Sequence, residues 1–293
     1  MIKILLIAIS IASVLIIISY ACSLIITSYR TFTPQDQSPE DFGLKFESFN
    51  VQVEQNVNLS CWFIPAETEK AVLIVSHGVA DGKSGLLHCV LPFLKSGFSL
   101  VMYDLRHHGE SGGEFCTLGF YETKDLLALT DFVKKKYAHE KPLFYWGFSL
   151  GATISILAAA QKSDVKAVVA RSPFINIRSV VKHYALKFYY MPYWPVIPLA
   201  LKLFEWKTGA NVNEVDILRY SDKLKNIPIL LIGSDNDKQV PLKWLETLRR
   251  NIGDSTELLV GPYGHTEVYE VMESDGIDVE RAISFMIESI NNY

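Results

Sequence analysis

Gly147-Phe148-Ser149-Leu150-Gly151 follows the apolar run Pro142-Leu143-Phe144-Tyr145-Trp146 and opens into the helix-like stretch Ala152 to Ala160. In that setting of strand, turn and helix the pentapeptide has a mechanical meaning. Ser149 falls at the tip of a tight turn, and the flanking glycines stand where no side chain fits against the neighbouring chain. Such a turn holds the hydroxyl out at a helix N-terminus, where developing negative charge is favoured. Outside that setting a glycine-flanked serine is an ordinary turn residue.

A serine hydroxyl is a weak nucleophile, so it needs a base, and the base needs an orienting acid. Both types stand downstream. The apolar strand Ile227 to Ile232 runs into Gly233-Ser234-Asp235-Asn236-Asp237-Lys238-Gln239-Val240-Pro241, and a second strand, Thr256 to Val260, runs into Gly261-Pro262-Tyr263-Gly264-His265. The order is Ser, Asp, His, each at the carboxyl end of an expected parallel strand, where open α/β sheets place their chemistry. An aspartate after a strand otherwise serves as a turn cap, so Asp235 and Asp237 both stay open on the residues alone.

Four segments give the chain a family likeness from about Lys45 onward: Ser76-His77-Gly78-Val79, Asp104-Leu105-Arg106-His107-His108-Gly109-Glu110-Ser111, the serine turn, and Asp237-Lys238-Gln239-Val240-Pro241 with Gly264-His265. They resemble the α/β-hydrolase superfamily, in its esterase, lysophospholipase and serine-aminopeptidase-like branch. The resemblance implies Ser149 as nucleophile, His265 as general base and then acid, and Asp237 as the carboxylate that fixes the imidazole tautomer. It favours Asp237 over Asp235 because the family's acid stands three residues before the valine of the Val-Pro pair. It also implies an oxyanion hole made by the backbone amides of Val79 and Leu150. One position departs from the pattern: His107 stands where a glycine is common.

The remaining histidines read as bland. His88 falls on an expected helix, and His139 and His183 on polar or cap segments. His77 is expected to hold its loop, while His107 and His108 are expected near the pocket rim.

The first thirty residues tell a second story. From Ile4 to Ile26 the chain is apolar apart from scattered serines, Tyr20 and Cys22. That is long enough to cross a hydrocarbon core of about 30 Å, and too long for the 7 to 15 apolar residues, roughly, of a cleaved signal peptide. Residues 1–30 are therefore expected to be an uncleaved single-pass membrane anchor, 31–43 a polar stalk, and 44–293 the hydrolase domain. Lys3 and the terminal amine before the span lean the orientation towards a catalytic body outside the cytoplasm. Four cysteines do not suggest a disulfide framework, although one pair among Cys61, Cys89 and Cys116 stays open.

The body alternates strand and helix patterns, the mark of an α/β fold with a mostly parallel central sheet flanked by helices. Strands are expected at 44–53, 58–64, 71–76, 99–104, 142–146, 166–170, 227–232 and 256–260, with helices near 84–95, 121–137, 150–161, 241–251 and 277–291. The alternation breaks at about 174–222, where Tyr184, Phe188, Tyr189, Tyr190, Tyr193, Trp194, Phe204 and Trp206 cluster. An insertion there is expected to form a helical cap, its aromatics either lining an acyl pocket or packing the cap onto the core. No metal constellation and no G-x-G-x-x-G loop are found, so no metal and no cofactor are expected. A net charge of −4 without a basic cluster argues against nucleic acid.

The reading is a membrane-anchored serine hydrolase acting on lipid-like or small carboxylic esters or thioesters with an apolar acyl group. A serine peptidase of the same fold is the alternative, with Glu205 and Glu214 as candidates for recognising a free amine. From another class, a non-catalytic binding protein on a hydrolase fold predicts a broken triad, whereas Ser149, Asp237 and His265 are all present.

Overall fold

The computed structural model describes residues 1–30, 37–162, 164–265 and 277–291. Part of the expected stalk, residues 31–36, lies outside them. The chain opens with a long apolar helix, α1 (Ile2–Thr27), followed after Gly43 by an antiparallel pair, β1 (Glu47–Glu54) and β2 (Val57–Ile64). Then come β3 (Ala71–Ser76), α2 (Leu87–Lys95), β4 (Phe98–Tyr103), α3 (Phe120–Lys136), β5 (Leu143–Phe148), α4 (Leu150–Ala159) and β6 (Val165–Arg171). Two further helices, α5 (Ile177–Lys187) and α6 (Val196–Thr208), precede the short α7 (Ser221–Leu224). The body closes with β7 (Ile229–Ser234), α8 (Leu242–Ile252), β8 (Thr256–Gly261) and α9 (Ile277–Asn291).

The eight strands form one sheet in the order β1-β2-β4-β3-β5-β6-β7-β8, antiparallel as far as the β2–β4 pair and parallel beyond it. Strands β3, β4, β5 and β7 are buried along their whole length. Their near-continuous apolar sequences follow from cover on both faces. Alternate residues serve opposite cores: Val72, Ile74 and Tyr145 face the side of α3, α4 and α8, while Leu73, Val75, Phe144 and Trp146 face α2 and α9.

This is the α/β-hydrolase fold expected from the sequence, with local differences. The strand expected from Ile227 begins two residues later, because Pro228 has no N–H to give the ladder; its carbonyl accepts from Val168 instead. The helix expected from residue 84 starts at Leu87, since the preceding residues fold into a turn around Lys83. Strand β5 runs on to Phe148 and delivers its end directly to Ser149. All four cysteines are free.

Strand order places the site. β3 has β4 on one side and β5 on the other, so the chain leaves β3 in one direction and returns on the opposite side. Loops diverge there, and the crevice opens at the carboxyl ends of β3 and β5. The insertion after β6 leaves and rejoins the body at a narrow neck, an antiparallel bridge between Asn176 and Asp216. Ile217 N donates to Ile175 O at 2.9 Å across this neck, and the Asn176 side chain caps α5 by accepting from Ser179 N at 2.8 Å.

Candidate active site

Ser149 sits between β5 and α4 with φ 53° and ψ −112°, a conformation that side chains rarely adopt. The surroundings enforce it. Ser149 N donates to Arg171 O at 2.8 Å, and Thr153 N donates to Ser149 O at 3.1 Å. On either side, only glycine fits: a Cβ on Gly147 would lie 2.4 Å from Gly151 O, and one on Gly151 would lie 2.1 Å from Ser76 O. The turn is therefore pressed backbone to backbone against the end of β3.

The three separated residues meet. His265 Nδ1 lies 2.7 Å from Asp237 Oδ2, and His265 Nε2 lies 3.0 Å from Ser149 Oγ. Because the carboxylate accepts, Nδ1 carries the proton and Nε2 presents its lone pair to the hydroxyl. Asp237 is buried, whereas Asp235 on the same turn is exposed. Burial works to raise the Asp237 carboxyl. The bonds and charge from His265, with donation from Val240 N and Ser172 Oγ, outweigh that and hold it below the usual carboxylate range.

Val79 and Leu150 line the same cavity as Ser149. The loop carrying Val79 is held by two histidines. Leu105 N donates to His77 Nε2 at 2.9 Å, leaving the Nδ1 proton for Gly78 O at 2.7 Å. Ala80 N donates to His108 Nε2 at 3.2 Å, leaving its Nδ1 proton for Arg106 O at 2.9 Å. His77 thus takes the loop-holding part expected of it. The rim position expected for His107 and His108 is not found: neither lines the cavity, and His108 is buried beneath the loop. Burial, with His77 alongside, lowers the His108 imidazole to about 3.

The loop after β4 is fixed from several sides. Lys83 Nζ reaches Asp104 Oδ2 at 2.6 Å and Glu110 Oε2 at 2.7 Å, and Ser111 Oγ donates to Asp104 O at 2.6 Å. Arg106 grips Asp125 of α3 through two bonds of 2.6 Å. His107, standing where the resembling family favours glycine, has φ 64°, so the turn keeps the left-handed backbone and bears its cost.

A cavity of about 120 Å³ opens beside Ser149, and no carboxylate lines it among the described residues. The body supplies Val79, Leu118, Phe174 and Val240. The insertion supplies Val180, Val181, Tyr184, Tyr189 and Met191, among others. Of the cap aromatics, Tyr184 and Tyr189 line the cavity, Phe204 packs the core, and Tyr190, Trp194 and Trp206 are exposed. Glu205 turns away, bonded to Lys202 and Val212 N, and Glu214 bonds to Asn211. Three contributors escaped sequence reasoning: the Ser172 hydroxyl on Asp237, the His108 prop, and the wall that Cys22, Ile25, Ile26 and Tyr29 provide.

The family model described as "Serine aminopeptidase, S33" matches residues 67–227, more than half of the chain, and that of TAP-like proteins matches residues 205–278. The chain belongs to this S33 family of α/β-hydrolases. The uncharacterized protein YqkD of Bacillus subtilis is 32% identical over 63% of this chain and 60% of its own length. The lysophosphatidylserine lipase ABHD12 of Danio rerio is 27% identical over 70% of this chain and 58% of its own. The chain thus spans about 60% of the length of these curated relatives. The esterase Pf2001 of Pyrococcus furiosus superposes with a TM-score of 0.70 at 25% identity, covering 86% of this chain and 96% of that one. Of these relatives, ABHD12 is named a lipase and Pf2001 an esterase.

Replacing Gly151 by Ala forces a Cβ into the Ser76 carbonyl, and a urea titration is expected to show a loss of about 3 kcal/mol. His108→Gln tests the buried imidazole. The folded pKa of about 3 lies below the unfolded value near 6.5, so only the unfolded chain takes up that proton between these limits. The stabilisation is complete above pH 6.5 and is lost as pH falls towards 3. The wild type is expected to lose stability more steeply than the variant from pH 6.5 to 4, by up to about 1.4 kcal/mol per pH unit. Parallel curves would contradict a neutral buried His108.

Proposed function

We propose that this chain is a membrane-anchored serine hydrolase that cleaves carboxylic esters or thioesters with an apolar acyl group through an acyl-enzyme. One observation carries the reading: the Asp237, His265 and Ser149 side chains stand in hydrogen-bonded sequence at the edge of an apolar cavity.

Ser149 Oγ attacks the acyl carbonyl while His265 Nε2 takes its proton, and the ionised Asp237 stabilises the imidazolium that forms. The tetrahedral oxygen is held by the amides of Val79 and Leu150, each contributing about 3 kcal/mol of transition-state stabilisation. His265 returns the proton to the leaving oxygen or sulfur. Water, activated by the same imidazole, then releases the acid and restores the serine.

The apolar lining favours an acyl chain over a charged peptide terminus. The alternative peptidase reading needs an acidic pair for the free amine, and Glu205 and Glu214 are committed elsewhere. A non-catalytic role would leave a connected Ser-His-Asp relay without use.

Membrane attachment rests on α1, which is apolar along its length and exposed over most of it. The exposed Tyr190, Trp194 and Trp206 of the cap suit the headgroup layer where such rings collect. With Lys3 and the amine kept on the cytoplasmic side, the catalytic body lies outside the cytoplasm.

Fluorophosphonate labelling of the full-length protein is expected in the wild type and absent in Ser149→Ala. Asp237→Asn is expected to keep the fold and lower kcat about ten-thousand-fold, measured with p-nitrophenyl octanoate. Turnover of aminoacyl-nitroanilides in preference to p-nitrophenyl esters would replace the esterase reading with the peptidase one.

A further inference from the structure

One wall of the cavity comes from outside the hydrolase core. Cys22, Ile25 and Ile26 of α1, and Tyr29 just beyond it, line the space beside Ser149. Their spacing of three, four and seven puts them on one helical face.

This end of the helix is docked. Ser19, Ser23, Ile26 and Thr27 are buried, and α1 packs along α6 of the cap. Cys22 Sγ lies 3.5 Å from Met191 Sδ. Cys116 N donates to Thr27 O at 3.2 Å, Lys207 Nζ to Thr27 Oγ1 at 3.2 Å, and Arg30 Nε to His107 Nε2 at 3.3 Å. Earlier in the helix, from Ile2 to Ile18, Leu15 is partly buried against the core and the other residues are exposed.

We infer that α1 is a specificity element as well as an anchor: its last two turns form the wall that sets which acyl chain Ser149 accepts. The inference rests on the ester-hydrolase reading above and adds to it a determinant outside the catalytic domain. The mostly exposed stretch Ile2–Ile18 spans about 26 Å at 1.5 Å per residue, short of a hydrocarbon core of about 30 Å. The docked turns therefore stand at the edge of the apolar layer, and Ile25, half exposed there, lies where a chain passes from the leaflet to the serine. The substrate class that fits is a lipid ester whose acyl chain lies in the leaflet that surrounds the docked turns.

The test uses the full chain in vesicles and reads kcat/KM for p-nitrophenyl octanoate relative to acetate. Cys22→Phe and Ile25→Trp narrow the wall and are expected to lower that ratio about tenfold, while Ile25→Ala leaves it equal or raises it. Ile17→Trp, on the exposed part of the helix, is expected to leave it unchanged. Because a ratio is insensitive to the amount of folded protein, poor folding does not imitate the effect.

An independent readout uses the thiol. Cys61, Cys89 and Cys116 are buried, so a maleimide takes Cys22 first. Prior reaction of Ser149 with a long-alkyl fluorophosphonate is expected to slow that labelling, and a short-alkyl one to leave it unchanged. Ratios indifferent to Cys22 and Ile25, or no protection of Cys22, overturn the inference while leaving the hydrolase reading intact. Ester turnover that survives Ser149→Ala overturns the Ser149 acyl-enzyme reading itself.

Discussion

The approach of Gly151 to the Ser76 carbonyl is the constraint from which the site follows. Helix α4 crosses the end of β3 with backbone against backbone, so the turn before it has no slack and Ser149 is held at positive φ. The same closeness makes the loop after β3 a neighbour of the serine. Two neutral imidazoles then tie that loop to the one after β4: His77 accepts from Leu105 N and His108 from Ala80 N. The second loop is fixed in turn by Lys83 with Asp104 and by Arg106 with Asp125. Rigidity thus passes from helix α3 to the amide of Val79 through hydrogen bonds that need uncharged histidines.

The sheet and the serine turn were readable because each leaves a mark on consecutive residues. Buried parallel strands read as apolar runs, and the turn demands glycine at two fixed positions. Strand ends were less readable, since Pro228 belongs to an apolar run yet has no N–H for the ladder. The residues alone left Asp237 and Asp235 open, because both follow the same strand, and only the family resemblance favoured Asp237. Geometry separates them: Gln239 N and Val240 N both donate to Asp237 Oδ1, a turn that folds the carboxylate under the loop and leaves Oδ2 to His265. The His108 prop was hidden for a different reason: its partner is a backbone amide 28 residues away, and every residue type but proline carries that donor.

The N-terminal helix shows what hydropathy averages away. The whole of α1 scores as one apolar span, yet its two ends face different surroundings. Up to Ile18 the side chains are mostly large, branched and exposed, the composition of a helix in contact with lipid. From Ser19 onward, serine, cysteine and threonine occupy the face turned to the body: Ser19, Cys22, Ser23 and Thr27. Small side chains let one helix come close to another, which is how α1 lies along α6. Ser19 Oγ and Thr27 Oγ1 bond back to the carbonyls of Leu15 and Leu24, so they dock without an unpaired hydroxyl. Among the described residues Ser23 Oγ is buried without a partner, a cost that alanine would avoid. Size alone therefore explains the docked face only in part, whereas the polar ties at Thr27 and Arg30 fix how far the helix slides along the cap. A helix free to slide would carry Cys22 and Ile25 past the cavity, and its wall would have no fixed shape.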